Sequence, residues 1–259
     1  AAAYGIAVTT TMLIDDFLLL VVMLTIWKWS KPATFTVFAL LLFLDASFWG
    51  ANLAKFVDGG WFPALLGLMV FTMLMTWKRG KTLVHQRTEG VNLPLEPFIQ
   101  SILAYPPQRV EGTAVFMNSD LTTVPNSLLH NLKHNRVLHE RVVFMSLRTE
   151  DIPYVAENEK LDIKEIGKDV FVVHGFYGFK EEPSLEDIMG RCAKHGLKME
   201  MMDTSFFLNR ETVIPSNLPG MALWREKLFA LMMRNSLRVT DHFKIPANRV
   251  VEMGTQIEI

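Results

Sequence analysis

Three carboxylates stand inside stretches that otherwise carry no charge. Asp15 and Asp16 fall between Gly5 and Ile26, and Asp45 falls between Thr34 and Leu53. Insertion scales put the cost of an acid at the bilayer centre at roughly 2.5–3.5 kcal/mol, so each must face protein or water rather than lipid. Helical spacing groups Asp15 with Thr11, and Asp16 with Thr9 and Met12, giving a polar stripe. Asp45 shares its face with Asn52, beside Phe48 and Trp49. Such residues suit a cation or proton pathway. The plainer reading is a carboxylate hydrogen-bonded to a neighbouring helix.

Other residues tempt a chemical reading. His130, His134 and His139 form H-x3-H-x4-H, and the first two share a helix face at zinc-ligand spacing. No Glu follows His130, so the metalloprotease motif is missing, and the pair is only a weak metal candidate beside packing or capping roles. Gly80-Lys81-Thr82 resembles the end of a phosphate-binding loop, but Met75 stands where the pattern needs its first Gly. No spacing of Ser, His and acid marks a catalytic triad. Cys192 is the single cysteine, which excludes an intrachain disulfide and suits a reducing compartment.

The elements that must position the acids are apolar helices. About 20 apolar residues span a bilayer. Residues 5–26 and 34–53 meet that length, and 61–77 reaches it with Trp77 and a snorkelling Lys78. Trp27, Trp29, Trp61 and Trp77 fall at segment ends, as an interfacial aromatic belt requires. Lys28 and Lys31 lie in the first loop, and Lys78, Arg79 and Lys81 follow the third span. The second loop has Lys55 offset by Asp58. The positive-inside rule then puts the first loop and the long C-terminal part in the cytoplasm. An odd number of spans, with no initiator Met and no signal-peptide pattern, leads us to expect that earlier helices precede residue 1.

After the spans, 78–94 reads as a connection and 95–259 as a cytoplasmic α/β domain. Residues 78–259 hold 23 of the 26 basic and 23 of the 27 acidic residues, a neutral balance that argues against nucleic acid as a partner. The run 112–117, a helix from Pro125 to His134 and the run 142–147 suggest a βαβ unit and a parallel sheet. Strands are expected at 170–174, 204–208 and 249–259. A helix is expected from Ser184 to His195, closed by Gly196. Met221 to Leu237 reads as a long amphipathic helix. Its Trp224, Leu228, Leu231 and Met232 recur at core-helix periodicity, which favours a helix packed in the domain core over one lying on the membrane, despite Arg225, Lys227, Arg234 and Arg238.

Several longer motifs carry a resemblance. They are Ala3 to Thr9 (AYGIAVT), Gly59 to Pro63 (GGWFP), Thr76-Trp77-Lys78, Pro106-Pro107, Leu129 to Asn135 (LHNLKHN), Leu138 to Val142 (LHERV), and Asn248 to Glu252 (NRVVE) with Gly254-Thr255-Gln256. Together, in this order and over the whole chain, they resemble the bacterial branch of the Kup/HAK/KT potassium uptake family. Thr10 departs from the pattern, which usually has Gly there. The resemblance implies twelve transmembrane helices, an inverted-repeat core and K⁺ uptake coupled to H⁺. The three spans would be the tenth to twelfth, and the family's main cation-binding residues would lie on earlier helices.

The reading is therefore α-helical transmembrane segments, the end of an inverted-repeat transporter core, followed by an α/β cytoplasmic domain. The expected activity is secondary potassium transport by symport in the inner (plasma) membrane, with no enzymatic step and no cofactor. K⁺ and H⁺ are the transported ions, and Asp15, Asp16 and Asp45 are the pathway candidates. The expected partners are the lipid bilayer and the missing N-terminal helices, with a homodimer left open. The alternative is a membrane-anchored cytoplasmic binding or signalling domain, whose anchors would have no use for buried acids.

Overall fold

The computed structural model describes residues 2–54, 56–89, 93–216, 218–236, 243 and 245–259. Lys55, Leu237 and Arg238, which entered the argument above, lie outside them. The chain forms two compact units, Ala1–Thr76 and Trp77–Ile259.

The first unit is helical. α1 (Ala2–Thr25) and α2 (Lys31–Leu53) are joined by a short turn, and Pro32 sits in the first turn of α2, where a missing N–H costs nothing. A turn over Phe56–Gly60 leads into α3 (Trp61–Glu89). Among the described residues, three helices are long and apolar enough to cross a membrane. The fold class read from the sequence is thus observed: apolar helices, then a mixed α/β domain.

The expected connection over 78–94 needs correction, because α3 runs on to Glu89. Its Lys, Arg, Leu and Gln residues favour helix, and no Pro interrupts them. Leu83 and Val84 are buried under Phe229, so the extension packs as part of the second unit.

In that unit, α4 (Leu95–Ala104) precedes β1 (Gln108–Met117), α5 (Asn126–His130) and β2 (Val137–Glu150). Next come β3 (Leu161–Gly167), β4 (Val170–Gly178), α6 (Leu185–Lys194), β5 (Thr204–Ile214), α7 (Leu223–Arg234) and β6 (Val250–Glu258). Among the described residues the six strands form one sheet in the order β3-β4-β2-β1-β5-β6. The pairs β1–β2, β1–β5, β2–β4 and β5–β6 are parallel, as the apolar runs predicted. β3, which the sequence reading did not anticipate, is antiparallel to β4. It lies at the edge and alternates exposed Asp162, Lys164 and Glu165 with apolar residues, so no continuous run marks it.

Both sheet faces are covered. α4 and α5 pack Leu95, Ile99 and Leu128 against Phe116, Phe144 and Phe207. α6 packs Leu185, Ile188, Met189 and Cys192 against Val115, Met145 and Phe206 on the other face. Cys192 is fully buried, and that burial pushes its thiol up to about 11. Gly196 closes α6 at φ +89°.

Lys160 ties the loop after β2 to the turn after β4. Its Nζ lies 2.7 Å from Glu157 and 2.8 Å from Glu181. The Lys160 ammonium and the amides of Gly178 and Val155 hold the Glu181 carboxyl down at about 2. Arg191 and Lys160 do the same for Glu157.

α7 also needs correction. Its buried face is Glu226, Phe229 and Ala230, with Met232 and Met233 packed partly against the same cluster. Trp224 (58% exposed) and Leu231 (57%), two of the residues read as a core stripe, face outward. The sequence holds apolar residues on both sides of this helix, so periodicity alone picked the wrong one. Phe229 won the core position because it meets Trp77 edge to face, with ring centroids 5.6 Å apart.

Candidate functional site: a carboxylate pair between two apolar helices

The buried side of α1 runs Ile6, Thr9, Leu13, Asp16, Leu20, Met23, in alternating steps of three and four. That spacing makes a seam. The matching side of α2 includes Thr34, Phe38, Asp45, Trp49 and Asn52. Gly5 meets Asn52, Thr10 meets Trp49, Asp16 meets Asp45 and Phe17 meets Phe38, so the two helices run antiparallel.

Small and polar residues shape this contact. A Cβ on Gly5 would lie 2.5 Å from the Asn52 Oδ1, so a larger residue there would have to displace the Asn52 amide. The Trp49 indole N–H donates to the Thr10 hydroxyl at 3.1 Å, and that hydroxyl donates to the Ile6 carbonyl at 2.7 Å. Thr9 returns its hydroxyl to the Gly5 carbonyl at 2.9 Å.

One polar contact is different in kind. The Asp16 side chain, only 6% exposed, faces Asp45 of α2, and its Oδ2 is buried with no donor. Asp16 and Asp45 thus come together, and Asp15 does not join them: its side chain is exposed on another face of α1. The sequence reading kept the three acids separate. Their meeting depends on the register of the two antiparallel helices, which the spacing within each helix does not give.

The histidines do not gather. His130 and His134 stack with ring centroids 5.8 Å apart, while His139 sits on β2 edge-on to Phe207 at 5.7 Å. Among the described residues no group of three or more His, Cys, Asp or Glu is placed to hold a metal. Burial lowers the pKa of His139, whose Nδ1 has no partner.

Two cavities open at the ends of the sheet. One, about 680 Å³, lies at the amino ends of the parallel strands, among Arg109, Glu140, Arg141, Lys168, Asp169 and Asp203. The other, about 310 Å³, lies at the carboxyl ends of β1, β2 and β5, with Asn118, Ser119, Asn209 and Glu211 beside Met117 and Phe243. The sequence reading missed both, because strand-end residues converge only once strand order is known.

Residues 1–82 match the family model described as the K⁺ potassium transporter integral membrane domain, and residues 111–259 match that of the K⁺ potassium transporter C-terminal domain. The chain belongs to the K⁺ potassium transporter family. Among similar members is the probable potassium transport system protein Kup 2 of Chromobacterium violaceum, 52% identical over 259 residues, all of this chain and 42% of the relative. The probable potassium transport system protein Kup of Cupriavidus pinatubonensis is 55% identical over 261 residues, again all of this chain and 41% of the relative. The chain thus spans about two fifths of the length of these transporter-family relatives. Its carboxylate pair lies within the part matched to the integral membrane domain.

Proposed function

We propose that the chain is part of a secondary transporter that takes up K⁺ together with H⁺, and that Asp16 and Asp45 handle the proton. K⁺ as cargo comes from the likeness to relatives named for potassium transport. H⁺ as driver rests on the carboxylate pair on a buried seam. Two carboxylates that face each other away from water repel when both are ionised, which suits a centre that takes up a proton. A centre that gains and loses a single proton is what coupling to H⁺ requires. Transport of this kind needs no cofactor and no covalent step, so the reading is of a transporter and not an enzyme. Lys28 and Lys31 in one loop and Lys78, Arg79 and Lys81 after the third span favour the α/β domain on the cytoplasmic side of the cell membrane.

The test is K⁺ and H⁺ flux into proteoliposomes holding the full-length protein. Asp16→Asn should change the pH dependence of K⁺ uptake per folded molecule. Uptake that follows the parent protein at every pH would remove Asp16 from the pathway and leave it a helix–helix tie.

One observation favours a second role, for the α/β domain. The 310 Å³ cavity lies at strand carboxyl ends, between β1 and β5, where the strand order reverses and open α/β sheets bind ligands. A regulatory ligand there would make the domain a sensor attached to the transporter. Isothermal titration of candidate metabolites, with Asn209→Ala as the control, tests it.

A further inference from the structure

We propose that the outward face of α7 rests on anionic lipid headgroups at the bilayer surface where the third span emerges. This goes beyond the transport reading and does not depend on it.

α7 has two faces. One packs on the second-unit part of α3, through Phe229 against Trp77 and Gly80. The other presents Leu223, Trp224 and Leu231, which are 45%, 58% and 57% exposed, with Lys227 and Arg234 among them. Trp224, Lys227, Leu231 and Arg234 follow one another at steps of three, four and three, so they form a single stripe. Its charge is wholly positive: Glu226, the one acid of α7, is fully buried and accepts from the Ser216 amide at 3.2 Å.

The attachment point sets the occupant. Trp77 to Gly80, on which α7 packs, directly follow the apolar run of the third span in sequence. Arg79 donates to the Gly220 carbonyl at 3.3 Å and Arg87 to the Pro219 carbonyl at 3.4 Å, fixing the loop that leads into α7. Lys78 and Lys81, exposed on the same turns of α3, add positive charge next in sequence to the third span. Trp and Leu with snorkelling Lys and Arg, and no exposed acid, complement headgroups of negative charge. A protein partner of ordinary composition would instead call for charge depletion at the centre of such a patch.

The full-length protein in lipid nanodiscs provides the test. Spin labels are placed at Leu223→Cys and Leu231→Cys, with Tyr154→Cys as an exposed control. Cys192 is buried and stays unlabelled. In nanodiscs with phosphatidylglycerol, labels at 223 and 231 should show a several-fold higher ratio of oxygen to nickel-chelate accessibility than the control. That excess should fall in phosphatidylcholine alone and with Lys227→Glu plus Arg234→Glu. A ratio equal to the control in anionic lipid would overturn the proposal. So would labels shielded from both reagents whatever the lipid charge, because that pattern marks a second copy or another part of the protein.

Discussion

Gly80 lies against the ring of Phe229: a Cβ there would meet Cδ2 and Cγ at 2.4 Å and Cε2 at 2.5 Å. Cγ is close to the Phe229 backbone, and the residue is fully buried, so the ring has little room to retreat.

Gly80→Ala should therefore destabilise the second unit, although the same change in a free helix gains about 1 kcal/mol. Overpacking of this kind costs about 1–3 kcal/mol and outweighs that gain. Hydrogen exchange of α7 in the whole protein reads the effect, and Phe229→Leu in the Gly80→Ala background should recover part of it. Faster exchange of α7 in neither variant would show that the contact is not tight.

If Asp16 and Asp45 share one proton, they act as a unit. The Asp16→Asn and Asp45→Asn proteins should then show the same altered pH profile of K⁺ uptake, and the double variant should be no worse than either. Additive losses would mean two independent groups.

The α/β domain should lose stability on acidification in two windows. Burial lowers the folded-state pKa of His139 and His174 from 6.5, so the unfolded chain takes up protons first and stability falls as pH drops below about 6.5. Glu157 and Glu181, lowered from 4.5 to about 2, add stability that is complete above 4.5 and lost as pH falls toward 2. Hydrogen exchange of β1 and β2 against pH should show both steps. Glu181→Gln should flatten the lower one and leave the upper one in place.

Cys192 should resist maleimide at pH 8 in the folded protein, since its thiol is fully buried and pushed up to about 11. Labelling should track opening of α6, and Ile188→Ala, which removes a fully buried neighbour in the same core at a cost of about 2–5 kcal/mol, should speed it. Labelling as fast as in denaturant would contradict the burial of α6.

The sequence carried the fold where one signal dominated. Apolar length marked α1 and α2, and unbroken apolar runs marked β1 and β2, because parallel central strands are buried on both faces. It failed where burial is decided by partners far away in sequence. α3 continues past Trp77 because Leu83 and Val84 are covered by α7, and α7 turns Trp224 outward because Phe229 has Trp77 and Gly80 to pack on. β3 escaped notice because an edge strand needs only one apolar side. Of the candidate site, each acid was visible singly. The Asp16–Asp45 contact depended on the register of two helices, which residue type does not encode.

The sheet order also sets a timetable for synthesis. β1, the first strand made, occupies a central position, and β5, its neighbour on one side, follows about 90 residues after it. At ~5–20 residues per second a ribosome takes roughly 5 to 18 seconds to supply it. Until β5 is made, Ala114 to Met117 can pair with β2 on one side only. The nascent chain thus carries an open apolar strand just after its membrane segments are made, and in that interval it is most exposed to mispairing and most in need of a chaperone.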